Sequence, residues 1–505
     1  MYKKCIIVLV AVVSCWLAAC DDYDSFTTDR SATLQFSSDT IRFDTLLATV
    51  PSSTQTLAIY NRGDRGVRII EAWLEGGASS PFRLNIDGQD MSRSAANRVG
   101  DFDIFRRDSI IVRAEVTLPE FTTDDPCEVT DALVLRLESG VEQRVPLVVV
   151  GRNAYFLKAR TLLSDTTFTP RRPIVIYDSL VVAKGATLTL TPGTQLLFHD
   201  EASLCVQGCL VADGTVEQPV VMRTDRTDHI FDYLPYDRLP GRWGGVHLYP
   251  ESHDNRLTGI DLHGSSYGIL IDAPAEGVER SLTLAGSRLH NIKGNGLDVT
   301  DAFIEVYNTE ISNTLGHCVT LLGGNATFTY CTLAQFYPLS SNRGNALDIN
   351  AFGTDSTAYY HPLHRAHFEG CVVTGYADDV IIIPDLNSDH WPTSVANPVI
   401  EFSFNQCFLT TVIPEGSTPE QDYPRRFTAC VLDDLESDLN REHHFSLFDT
   451  HAFLYDFTPV EESPIRGIAP SAATSFPVDR FGRSRTADNA PDAGCYEFVA
   501  TQKKE

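Results

Sequence analysis

The feature that most constrains this chain is a recurrence of about 22 residues in its middle. Six segments align on an apolar–x–x–small–x–apolar core. They are Leu284…Ser287-x-Leu289, Val306…Thr309-x-Ile311, Phe328…Cys331-x-Leu333, Phe368…Cys371-x-Val373, Phe404…Cys407-x-Leu409 and Phe427…Cys430-x-Leu432. The small residue advances by 22, 22, 40, 36 and 23 positions, so two steps carry insertions. A second series keeps the same pace: Leu297-Asp298-Val299, Val319-Thr320-Leu321, Leu347-Asp348-Ile349 and Ile381-Ile382-Ile383. Each candidate strand is three to five residues long, with Gly, Asp or Pro at the corners. A repeat this short cannot bury its own apolar face, so it must stack on its neighbours. The pattern predicts a coil of parallel strands whose turns lie about 4.8 Å apart.

Two consequences follow for side chains. Ser287, Thr309, Cys331, Cys371, Cys407 and Cys430 fall in one inward column, so the thiols are expected to be reduced and buried. Asp298 and Asp348 fall in one outward column that Thr320 and Ile382 share. Earlier strands fit the same scheme from Ile176 to Met222, which sets the coil at 153–458 with 9–11 turns and a tail, 459–505, capping its last turn. Upstream, at 31–152, short apolar alternations such as Thr56-Leu57-Ala58-Ile59-Tyr60 and Val145-Pro146-Leu147-Val148-Val149-Val150 are broken by turn residues. That spacing predicts a β-sandwich. The fold class expected is therefore all-β: an N-terminal β-sandwich followed by a right-handed parallel β-helix.

The N-terminus reads as an address. Tyr2-Lys3-Lys4 precedes an apolar run from Cys5 to Ala19, too short to span a bilayer. It ends Leu17-Ala18-Ala19-Cys20, which resembles a bacterial lipobox. Residues 1–19 are then a signal peptide, Cys20 is the lipidated residue, and 20–30 is an acidic tether. Cleavage removes Lys3 and Lys4, taking two positive charges from −27 and leaving −29. Acidity at that level excludes nucleic acid as a partner, since phosphate binding needs a basic face.

Three stretches resemble a known family, the surface lipoproteins of Bacteroidota that carry an immunoglobulin-like domain before a right-handed parallel β-helix. They are the first coil, Ile176–Met222; the segment Phe231-Asp232-Tyr233-Leu234-Pro235-Tyr236-Asp237-Arg238-Leu239-Pro240-Gly241-Arg242-Trp243; and the tail. The tail fits D-x-x-G-x-x-R…D-x-G-x-Y-E, from Asp479, Gly482 and Arg485 to Asp492, Gly494, Tyr496 and Glu497. Asp21, Asp22 and Asp24 resemble that phylum's surface-export signal. The resemblance implies an outer-membrane, cell-surface location and fixes function poorly, because β-helices host many functions.

No catalytic residue is expected. A lyase site needs clustered carboxylates and a basic residue near the sugar, and Asp298 and Asp348 are an interrupted pair. Asp378-Asp379 and Gly316-His317 superficially resemble a polygalacturonase motif, in reversed order and without its partners. No metal or cofactor is expected either: Cys205-x3-Cys209 lacks a second pair, and His361, His364 and His367 align on a helix but not on a strand. The recognition candidates are Tyr233, Tyr236, Asp237, Arg238, Arg242 and Trp243, with Asp298 and Asp348, because aromatic and arginine side chains dominate binding hot spots. The leading expectation is a non-catalytic scaffold in an envelope complex that assembles or transports outer-membrane proteins. The alternatives are glycan binding and a lyase or hydrolase acting on uronate glycans.

Overall fold

The computed structural model describes residues 25–500 except 95, 232, 354–358, 384–394, 396–397, 413–425, 434–440, 471–475 and 488–489. Cys20, Asp21, Asp22 and Asp24 lie outside the described residues. The fold is all-β, with extensive parallel sheet; the only helices among the described residues are short 3-10 turns. No helix there is long and apolar enough to cross a membrane. The chain divides into two compact units, Met1–Asn153 and Ala154–Glu505.

The first unit holds a five-stranded and a six-stranded sheet. Gln55–Tyr60, Ser109–Val116 and Phe82–Ile86 form the centre of one; Glu142–Arg152, Cys127–Leu137 and Val67–Leu74 form the centre of the other. Among the described strands of this unit pairing is antiparallel apart from Ile41–Leu47, which runs parallel to Glu142–Arg152; an isolated bridge, Phe26 to Gly66, is also parallel. Alternate residues such as Leu57, Ile59, Ile69, Leu133, Leu135, Val145 and Leu147 are buried in one core drawn from both sheets.

The second unit is built from parallel ladders. In the ten-stranded sheet, the pairs Leu284↔Val306, Val306↔Phe328, Phe328↔Phe368, Phe368↔Phe404 and Phe404↔Phe427 put the aligned apolar positions in register. Phe328, Phe368, Phe404 and Phe427 stack as one inward column, with ring centroids 4.9, 4.9 and 5.1 Å apart. The spacing is that of the ladder itself, so each ring meets the next in offset stacking. In the 18-stranded sheet, Leu262, Leu289, Ile311, Leu333 and Val373 form a second inward column.

The expected small column is real at every described corner, and it does more than pack. A residue with positive φ stands before each member: Gly286, Asn308, Tyr330, Gly370, Gln406 and Ala429. The next side chain donates to the carbonyl two residues back, as Ser287 to Ala285 (2.8 Å), Thr309 to Tyr307 (2.7 Å) and Cys407 to Asn405 (3.4 Å). It also accepts the N–H of the neighbouring ladder step, as Cys371 Sγ does from Cys331 and Cys407 Sγ from Cys371, both at 3.4 Å.

The tail packs along the side of the ladders together with the strand before it: Ile465, Cys495 and Tyr496 of the tail, with Tyr455 and Phe457, share a core with Tyr330, Phe336, Val372 and Phe408. Outward apolar residues on those strands, Val372 and Phe408, need cover, and the tail supplies it. Its motif is the latch. Asp479 Oδ1 accepts the N–H groups of Phe481 and Arg483, and its Oδ2 accepts that of Glu497. Asp492 accepts from Gly467 and Phe498. Arg485, fully buried, bonds Glu497 Oε1 (2.7 Å) and Asn308 Oδ1 (2.6 Å) and lies 3.8 Å over the Tyr330 ring. Gly494 has φ +88°, and a Cβ there would meet Thr332 Oγ1 at 2.6 Å.

Candidate functional site

The outward positions of one ladder carry a dense polar cluster. Register places Asp261, Arg288, Glu310 and Thr332 in one file and His263, His290 and Ser312 in the next, with the leucine column between them pointing inward. Asp261 Oδ1 lies 2.8 Å from His263 Nδ1 and 3.2 Å from His290 Nε2. The imidazole centroids are 4.9 Å apart, one ladder step. His263 Nε2 faces Asp237 Oδ2 at 3.8 Å, and Asp237 pairs with Arg223 at 3.3 Å. Both histidines are buried, at 9% and 7% exposed.

The file continues into a second network. Arg288 Nε bonds Glu310 Oε1 at 3.0 Å, Ser312 Oγ donates to the same oxygen at 2.6 Å, and the Tyr496 hydroxyl donates to Glu310 Oε2. Arg480 reaches Tyr496 Oη (3.4 Å) and the Ser287 carbonyl (3.2 Å). Beside it opens a cleft of about 460 Å³ lined in part by Asp261, Arg288, Tyr455, Arg480, Phe481 and Tyr496.

Burial penalises every charge here, and the neighbours decide which survive. Burial works to raise the Asp261 carboxyl, but the charge and hydrogen bonds of His263 and His290 overcome it and hold the group well below the usual range. His263 is raised, because Asp261 and Asp237 outweigh its burial. His290 is lowered to about 4 by burial and by the Arg288 charge beside it. Burial likewise opposes the charge on Glu310, and Arg288 with Arg480 restores it.

The recognition candidates fall in different places. Trp243 is 1% exposed, stacks on Phe198 at 4.2 Å and donates its indole N–H to the His263 carbonyl at 2.8 Å. It is a core residue, not a contact surface: the loop that carries it closes over the ladder because the indole buries a large apolar area. Tyr236 is held between the guanidinium groups of Arg226 (3.8 Å) and Arg242 (4.8 Å). Asp237 belongs to the histidine cluster, and Arg238 donates to the Ala452 carbonyl at 3.1 Å. Tyr233 alone of the six is presented to solvent, at 54% exposed, stacked at 5.5 Å on Phe231, itself 55% exposed.

Asp298 and Asp348 do share a column with Thr320 and Ile382. They stand two ladder steps apart, about 10 Å, too far for one cation. Asp298 accepts from Asn295 at 2.8 Å; Asp348 accepts from Asn350 at 3.1 Å and faces His317 at 3.8 Å. Burial raises the Asp348 carboxyl against the pull of His317. His361 and His367 take separate partners, Asp301 and Ser403. Asp379 caps the turn at Ile381, and Asp378 is largely exposed.

The cluster that does form, Asp261 with His263 and His290, escaped the sequence reading. Asp261 and His263 are two apart and the second histidine 27 residues on, one ladder step with a short insertion. Extending the column alignment one step back, from Ser287 to Ile260, would have exposed it.

No family model matches the chain, and no curated protein does. Among the solved structures that share limited similarity with the chain are two of different kinds. One is a family 123 glycoside hydrolase from Clostridium perfringens, described for glycolipid glycan hydrolysis: 8% identical, covering 25% of this chain and 30% of that chain, TM-score 0.17. The other is a PapD-like (ASH) domain of human CEP192: 13% identical, covering 25% of this chain and 89% of that chain, TM-score 0.16. This chain thus spans less than a third of the hydrolase's length, and scores this low carry no argument about either protein's activity here.

Proposed function

We propose that this chain is a non-catalytic, lipid-anchored scaffold on the surface of the outer membrane, docking a membrane-protein partner in an assembly or transport complex. In this reading the two N-terminal sheets form an immunoglobulin-like sandwich, and the parallel ladders close into a right-handed β-helix. One observation carries the proposal. In the segment from Phe231 to Trp243, Trp243 is buried and Tyr236, Arg238 and Arg242 are half-buried with contacts of their own, while the stacked Phe231–Tyr233 pair stands in solvent. Exposed rings on a rigid base bind with little loss of side-chain entropy, which is what interface hot spots require. The ionisable clusters described above pair within themselves, which favours a framework over a reaction centre.

The test is co-purification from native outer membranes in mild detergent. Wild-type protein is expected to retain a stoichiometric membrane protein. A Phe231→Ser/Tyr233→Ser double variant should lose it by about tenfold or more, as hot-spot truncation does. A protein that purifies alone overturns the reading. The same rings suit a sugar face, so glycan binding is the second reading. Retention of a polysaccharide by the wild type and not by the double variant would favour it.

A further inference from the structure

Two histidines and one aspartate from adjacent ladder strands converge beside the cleft, and we infer that Asp261, His263 and His290 form a binding site for a divalent transition cation, Zn²⁺ by the chemistry of its ligands. The inference is independent of the scaffold reading and of any anchor.

The geometry carries it. One ligand atom from each of Asp261, His263 and His290 lies within 4.8 Å of the other two. A tetrahedral Zn²⁺ with bonds of about 2.0–2.1 Å holds its ligand atoms about 3.3 Å apart. The two nitrogen–oxygen separations, 2.8 and 3.2 Å, are already near that value. Small rotations about the side-chain bonds would bring the three atoms onto one ion. The backbone beneath is fixed, because Leu262 and Leu289 lock each strand into the core. The Trp243 indole pins the His263 carbonyl.

The surroundings match a metal centre as well. His263 turns Nδ1 to the cluster and Nε2 toward Asp237. A carboxylate behind a ligating histidine fixes its tautomer and strengthens the ligand. The nearest cations are already engaged, Arg288 with Glu310 and Arg223 with Asp237. Imidazole with carboxylate suits zinc over soft or purely oxygen-seeking ions. Three protein ligands leave a fourth position. Asp261 lines the cleft, so water or a carboxylate from a bound partner reaches that position from there.

The experiment uses the full-length protein, stripped with a chelator and titrated with Zn²⁺ against a chromophoric competitor. One equivalent should bind. His263→Ala and His290→Ala should each weaken binding by about 100-fold or more, and Asp237→Asn by about 10–100-fold. Co²⁺ in place of zinc should give visible ligand-field bands that both histidine variants lose. Thermal melts report whether the variants fold. If an alanine variant does not fold, His290→Gln replaces it, since the amide can still donate to Asp261 and is a poor zinc ligand. Wild-type protein that takes up no zinc, or folded variants that bind it undiminished, overturns the inference.

Discussion

At the corners of the parallel ladders, one side chain performs two bonds. Cys371 donates to the Glu369 carbonyl at 3.5 Å and accepts from the Cys331 N–H at 3.4 Å, while staying fully buried. Serine can do both, and valine, of similar size and more apolar, can do neither. An unsatisfied buried donor costs about 1–3 kcal/mol. Cys371→Val is therefore expected to be less stable than Cys371→Ser in chemical denaturation, the reverse of a ranking by hydrophobicity. Burial also pushes the Cys331 and Cys407 thiols well up, so they should stay inert to thiol reagents until the protein unfolds. Arg485 makes the sharper case. It is fully buried and donates to Glu497 Oε1 and Asn308 Oδ1, so Arg485→Met leaves both acceptors without that donor and should cost about 1–3 kcal/mol for each. The column of small residues was legible because its spacing survives in the sequence. Its bonding was not, since the preceding left-handed residue is variously Gly, Asn, Tyr, Gln or Ala and leaves no signature.

Among the elements, the segment from Phe231 to Trp243 and the hairpin Phe445–Asp449/Leu454–Pro459 behave as insertions clamped onto a regular base. Inserted residues have no periodicity, so nothing in the sequence tells an inward ring from an outward one; Trp243 and Tyr233 read alike and end in opposite environments. Their substitutions should separate. Trp243→Ala is expected to cost about 3–5 kcal/mol, and Tyr233→Ala to stay within about 0.5 kcal/mol, both measured by thermal or denaturant melts. The turn just before the hairpin, Arg441–His444, carries a pH dependence. His444 is 5% exposed and meets Phe408 edge-on at 5.7 Å. Burial lowers its pKa below the ordinary 6.5. The unfolded chain then takes up the proton first, so stability is intact above about pH 6.5 and falls as pH drops through that value. Melting temperature should fall between pH 7 and pH 5, and by less in His444→Phe. An equal fall in both would remove His444 from the account.

For the whole molecule, the two units have separate apolar cores with no residue in common, the first opening at Leu34 and the second at Leu162. All-β character was legible across both, because a 22-residue repeat and short alternations leave few other ways to bury apolar faces. Partners were not, since such folds carry their function in a few surface residues. The proposed location makes the strongest demand on the chain as a whole. Leu17-Ala18-Ala19-Cys20 implies that attachment rests on one thiol. A single acyl chain holds a protein only marginally, and two or more hold it firmly. Cys20→Ala should therefore move the protein out of the membrane fraction while its melting temperature stays unchanged, because Cys20 precedes both cores. Surface exposure makes a separate demand: protease added to intact cells should degrade the wild type, and replacing Asp21, Asp22 and Asp24 with Ala should protect it. A Cys20→Ala protein that still sediments with membranes would remove the anchor. A wild type that resists added protease would place it on the inner leaflet and leave the Phe231–Tyr233 pair facing the periplasm.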